Sequence, residues 1–196
     1  MIAEAGLAAL WLAAALALLQ LVMGAVALTP GRAEAGALVR PVAVVQGLLI
    51  LLAFVLLIWL FMISDMSVKL VASHSNSAKP LIYKIAGTWG NHEGSMLLWV
   101  TILGVAGAAV AIFERRTSER MMIATLAAQA AIALGFFAFL LFSSNPFERL
   151  LPAVMPRVRK IQAPSTQGRI ALAKAASTSR VTNAPTANEK ATDSPT

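Results

Sequence analysis

The chain has 196 residues, 58% of them hydrophobic and only 13% charged, with a formal net charge of +7 and no cysteine. A mean hydropathy of +0.74 excludes an ordinary soluble domain, because water would have to solvate too much apolar surface. The missing cysteines exclude a disulfide framework, thiolate metal ligation and thiol catalysis within this chain. The basic residues lie in loops and a tail without interleaved aromatics, so no nucleic-acid partner is expected.

A helix needs roughly 20 apolar residues to cross a hydrocarbon core. The sequence offers four such stretches, at about 6–28, 42–63, 96–113 and 121–142. The first follows Met1-Ile2-Ala3-Glu4, with no basic segment before it, and is expected to be a retained span rather than a cleaved signal. Thr29 to Pro41 then forms a short connection with Arg32 and Arg40. The second span is uncharged from Gly47 to Trp59, and Trp59 suits a membrane interface.

A longer loop, 64–95, follows. The alternation of Val68, Leu70 and Ala72 with polar neighbours fits either a short strand or a surface helix in the interface. His74 to Pro80 predicts a turn, and Leu81 to Ala86 returns the chain to the membrane, with Tyr83 and Trp89 as belt aromatics. His74 and His92 are separated by a flexible stretch without carboxylates at ligand spacing, so no metal site is expected.

The loop ends in Trp89-Gly90-Asn91-His92-Glu93-Gly94-Ser95, which gathers rare polar residues at a membrane boundary. One reading makes Trp89 an interfacial anchor, Gly90 and Gly94 turn residues, and Ser95 the N-cap of the next helix, with the acid in its positive end. The other turns His92 and Glu93 to a ligand or partner surface.

The third span is rich in small residues, and Gly104 with Ala108 forms a small-xxx-small pair expected to pack on protein. Glu114 to Arg120 is a short connection carrying Arg115, Arg116 and Arg120. The fourth span holds Gln129 near its middle, expected to bond a neighbouring helix. Arginines in both short connections place them in the cytoplasm and the 64–95 loop outside, although Arg149, Arg157, Arg159 and Lys160 after the fourth span oppose that arrangement.

From Val154 the chain turns to Ala, Ser, Thr and Pro, too poor in large apolar residues to repay ordering, so 153–196 is expected to be a disordered basic tail. The expected fold is all-α, a membrane bundle of four antiparallel helices over 1–152, because spans must satisfy their backbone internally. No catalytic residue is identifiable: nucleophile elbow, Walker loop and dinucleotide motif are all missing from the sequence. A small transporter is disfavoured, since no charged group sits at mid-span.

Several blocks together resemble the amino-terminal region of the CcmF family and its NrfE-type relatives. They are Ser64-Asp65-Met66-Ser67-Val68, Val71 to Ser77, Lys84-Ile85-Ala86-Gly87-Thr88-Trp89-Gly90-Asn91-His92-Glu93-Gly94-Ser95-Met96-Leu97-Leu98-Trp99, and Phe142-Ser143-Ser144-Asn145-Pro146-Phe147-Glu148-Arg149. That resemblance, collinear over about 1–152, implies a component of the bacterial haem lyase for cytochrome c-type biogenesis. It also implies an inner-membrane location, a periplasmic 64–95 loop, and haem as the family's cofactor. The partners implied are other haem lyase subunits, a haem chaperone and apocytochrome c.

The departures from the family shape the expectation for this chain. Family members have many more spans, and they hold haem through a tryptophan-rich motif flanked by histidines beyond the matched region. Here the tryptophans are Trp11, Trp59, Trp89 and Trp99, and no histidine follows His92. His92 is the one candidate for touching the cofactor, and iron would demand a partner ligand and an enclosing pocket. The chain is therefore expected to hold no haem alone and to contribute packing and partner docking, as an interrupted copy with an out-of-frame tail. The alternative is a stand-alone membrane scaffold that uses the small-residue face of the third span.

Overall fold

A computed structural model of the chain describes residues 1–76 and 79–150. The expected disordered tail over 153–196 lies outside the described residues, as do Ser77 and Ala78 of the expected turn. The elements in order are α1 (Ile2–Ala27), a 3-10 turn (Ala33–Leu38), α2 (Val39–Met62), α3 (Lys69–His74), α4 (Leu81–Gly87), α5 (His92–Phe113) and α6 (Glu119–Ala138). A π-helical turn, Phe139–Ser143, prolongs α6. Among the described residues, four helical segments are long and apolar enough to cross a membrane, namely α1, α2 with its 3-10 turn, α5, and α6 with its π turn.

The spans pack in the cyclic order α1, α2, α5, α6, with α6 returning to α1. Neighbours run antiparallel because each connection reverses the chain. Side-chain size decides which face goes inward. On α1, Gly6, Ala9, Ala13, Ala17 and Gly24 are buried, whereas Trp11, Leu12, Leu18 and Val22 point out. In water such an outer face would be a liability, but in a bilayer it is solvated by lipid tails, and small inward residues let backbones approach. The same logic joins α2 to α5. A Cβ added to Gly47 would lie 2.7 Å from the Gly104 carbonyl oxygen and 2.8 Å from the Ala108 Cβ. The expected small-residue face of the third span is therefore buried on protein, with Gly47 as its partner.

Helix ends differ from the sequence reading for local reasons. Pro41 falls inside the first turn of α2, where its missing N–H costs nothing. Ser64 takes a φ of 53°, the left-handed conformation that terminates a helix, just after α2. The Val68–Ala72 segment is split: Val68 forms an isolated antiparallel bridge with Arg149, and Lys69 then begins the short α3. Ser95 is not the cap of α5. The helix starts at His92, and Asn91, four residues before the expected cap, caps it.

The core is two apolar clusters. One fills the bundle from Ala3 and Phe147 to Ala17, Ile50, Val100 and Ala133. The other, at the arginine-bearing end, comprises Val39, Ala43, Ala111, Met122, Ile123 and Leu126. Between them Gln129 joins neighbouring helices as expected, its Nε2 donating to Leu103 O of α5 at 3.3 Å. Its Oε1 accepts from Gln20 Nε2 of α1 at 3.2 Å.

Candidate functional site at the Trp89 end of the bundle

The turn from α4 into α5 is built around Asn91. Its backbone is extended, with φ −134° and ψ 168°, so the side chain folds back over the first helical turn. Oδ1 accepts from Gly94 N at 2.7 Å, while Nδ2 donates to Gly87 O at 2.8 Å and reaches Thr88 O at 3.3 Å. One side chain thus satisfies an orphan donor of α5 and the last carbonyls of α4. Ser95 Oγ lies 2.6 Å from Asn91 O and 2.8 Å from Trp89 O, so its single proton is shared between two carbonyls behind it. Gly94 sits directly against the Thr88 carbonyl, where no Cβ fits. Trp89 is 41% exposed.

His92 and Glu93 follow the cap and diverge, as consecutive helical residues do. His92 is exposed, and its ring stands edge-on to Phe139 of the π turn, with centroids 5.3 Å apart at 85°. Glu93 turns into a cleft of about 90 Å³ lined also by Lys69, Ser73, His74, Ser144, Asn145 and Glu148. His74 closes α3, and its Nδ1 lies 3.2 Å from Leu70 O. A carbonyl can only accept, so Nδ1 is the donor in this contact. His74 and Glu93 share one cleft, whereas His74 and His92 do not.

The cleft wall is a cap tying three parts of the chain together. Lys69 N donates to Glu148 O at 2.8 Å and Leu150 N to Ser67 O at 2.9 Å. Lys69 Nζ pairs with Glu148 at 3.0 Å, and Arg149 pairs with Glu4 of α1 at 2.6 Å. Beneath them Phe147, 2% exposed, lies on Gly6. The described parts of the blocks that carry the family resemblance, 64–68, 71–76, 84–99 and 142–149, meet here at one end of the bundle. Sequence reasoning did not join them, since each pairing spans a long stretch of chain.

This arrangement does not fit haem. His92 has an aromatic edge beside it rather than a second ligand, and the polar cleft that Glu93 enters, at about 90 Å³, is far smaller than the roughly 300–1,000 Å³ of small-molecule sites. A larger groove of about 340 Å³ between α1 and α6 is lined by Trp11, Leu18, Leu134, Phe137, Leu141 and Phe142 with three alanines, none able to ligate iron. Among the described residues no group of three His, Cys, Asp or Glu could hold a metal ion.

Fold and surface together define a polytopic α-helical membrane protein. No family model matches the chain. It is 47% identical over 150 residues to a cytochrome c-type biogenesis protein, ccl1, of Rhodobacter capsulatus, a match covering 76% of this chain and 23% of that protein. It is 46% identical over 152 residues to cytochrome c-type biogenesis protein CcmF of Pseudomonas aeruginosa, covering 78% of this chain and 23% of the relative. A solved structure titled cytochrome c heme lyase CcmF superposes with a TM-score of 0.71 at 25% identity, over 82% of this chain and 27% of that one. The chain is thus homologous to cytochrome c-type biogenesis proteins of the CcmF family, in a manner consistent with an amino-terminal portion, and spans about a quarter of their length.

Proposed function

We propose that this chain serves cytochrome c-type biogenesis as a four-span module of the haem lyase assembly, contributing helix packing and partner docking rather than bond making. The carrying observation is the 46–47% identity over 150 or more residues to cytochrome c-type biogenesis proteins, in a fold that also matches a haem lyase structure. The sequence match runs over 150 or more residues and the fold match over 82% of this chain, so the likeness concerns architecture and not one motif. The docking surface in this reading is the cap around Glu93, His74 and Glu148 together with exposed His92 and Trp89.

Orientation follows from charge. Arg32, Arg40, Arg115, Arg116 and Arg120 gather at one end, which the positive-inside rule assigns to the cytoplasm. The cap then faces the periplasm across the bacterial inner membrane, where other haem lyase subunits, a haem chaperone and apocytochrome c would meet it. The stand-alone scaffold reading relied on the Gly104 and Ala108 face, and that face is covered by Gly47 within the bundle.

The test is removal and resupply in the source cell, read as covalently haem-stained c-type cytochromes in membranes. Loss on removal and recovery on resupply are expected; unchanged staining would refute the proposal. Because the chain has no cysteine, Ala35→Cys and Ser73→Cys report orientation cleanly. Only Ser73→Cys should react with a membrane-impermeant maleimide in intact cells whose outer membrane has been permeabilised.

A further inference from the structure

The boundary between the two core clusters is polar. Gln20 and Gln46 are both 0% exposed and Gln129 is 9% exposed. Along α1, Gln20 follows Ala17 of the large cluster, and Met23 beyond it packs on the smaller one. On α2, Gln46 separates Ala43 from Ile50, and on α6 Gln129 separates Leu126 from Ala133. Glycine contacts fix the depth on α5: Gly107 lies beneath the Gln129 amide, while Gly47, next to Gln46, rests on Gly104 and Ala108. Three helices therefore bring an amide to one layer, and α5 answers with Gly107, which leaves room for the Gln129 amide.

The layer's hydrogen bonds are incomplete. Gln20 Nε2 donates to Leu126 O at 2.8 Å and to Gln129 Oε1 at 3.2 Å, which uses both its protons. Gln20 Oε1, Gln46 Oε1 and Gln46 Nε2 are buried without a hydrogen-bond partner among the described residues. Exchanging the two amide atoms of Gln20 would set its oxygen against the Leu126 carbonyl, so its Oε1 stays without a partner in the orientation its bonds require. Inside a bilayer no bulk water reaches such groups, and leaving them bare is strongly unfavourable. Whatever satisfies them must donate to two carbonyl oxygens and accept from the Gln46 NH2 group. It must be uncharged, since none of the side chains that form the layer is ionised, and it must fit where the side chains are fully enclosed.

We propose that Gln20, Gln46 and Gln129 hold internal water in a hydrated layer across the bundle. Water there ties α2, whose Gln46 makes no side-chain bond among the described residues, to the network already linking α1, α5 and α6. The layer sets the register of α2, and the ligand class is a neutral donor-acceptor of water's size.

The test uses the full chain in lipid nanodiscs with 15N-labelled glutamine. Magnetisation transfer from water to side-chain NH2 groups is recorded, and the Gln46 signal is assigned by its loss in Gln46→Leu. A water cross-peak at Gln46 is the expected result, together with a lowered thermal midpoint for Gln46→Leu, because the variant strands the water and its other partner. A Gln46 amide without water transfer would overturn the proposal, and so would a raised midpoint for Gln46→Leu, the response of a dry site relieved of a bare amide. If Gln46→Leu does not fold, Gln46→Met supplies the assignment and the transfer measurement on the unaltered chain decides.

Discussion

Gly94 in the first turn of α5 faces the carbonyl oxygen of Thr88 so closely that no side chain fits between them. That contact fixes where the loop becomes a membrane helix and hence which way Glu93 and His92 point. Gly94→Ala must displace backbone rather than a flexible side chain, so a loss at the upper end of about 1–3 kcal/mol is expected. Gly135→Ala is the control: a Cβ there meets nothing within 4 Å, and the helix should gain roughly 0.5–1 kcal/mol. Thermal unfolding in nanodiscs compares the two.

Asn91 and Ser95 are both capping residue types, and only the structure chooses between them. Asn91→Ala removes the cap and the amide that holds two α4 carbonyls, so about 1–2 kcal/mol should be lost. Ser95→Ala removes one shared hydroxyl proton and should cost less, about 0.5–1 kcal/mol. A larger loss from Ser95→Ala would reverse the assignment.

The cap over the bundle end depends on packing more than on charge. Lys69 and Glu148 are both more than half exposed, and exposed pairs contribute about 0.2–1 kcal/mol. Phe147 is 2% exposed against Gly6, so Phe147→Ala should cost about 3–5 kcal/mol. Lys69→Ala should change the midpoint little, and raising the salt concentration should then erase the difference.

Glu114 ends α5, and its Oε1 accepts from Arg116 N at 2.7 Å and Thr117 N at 2.9 Å. The Arg116 bond foremost, then the Thr117 bond, holds the carboxyl below its ordinary range. A carboxyl whose pKa falls on folding adds stability above its unfolded value, about 4.3 for a glutamate, and that contribution disappears as pH drops through the lowered folded value. Amide exchange at Arg116 and Thr117 should therefore be slow at neutral pH and, after correction for intrinsic rates, quicken only on acidification below the unfolded value. Glu114→Gln should leave exchange faster and remove its acid dependence.

The spans were legible because an apolar run of membrane length admits one structure. Gln129 was legible too, as a lone polar group that had to find a helix partner. Gln20 and Gln46 carry the same signal at the same kind of position and were passed over, although their placement about two turns from the ends of α1 and α2 would have aligned them. The cleft was not legible. His74 and Glu93 meet only because α4 folds the loop back and Asn91 sets the first turn of α5. Glu148 joins them because the chain leaving α6 pairs with Ser67 and Lys69, a long-range contact without local sequence signal.

The central claim, that the chain acts in cytochrome c-type biogenesis without itself holding haem, is tested most directly by purifying the tagged full chain from membranes of its own cell. Its partners would be identified by mass spectrometry and its absorbance recorded. Co-purification with cytochrome c maturation proteins, and no Soret band remaining once those partners are stripped away, is the expected result. A stoichiometric, sharp Soret band on the stripped chain, or the absence of every such partner, would contradict it.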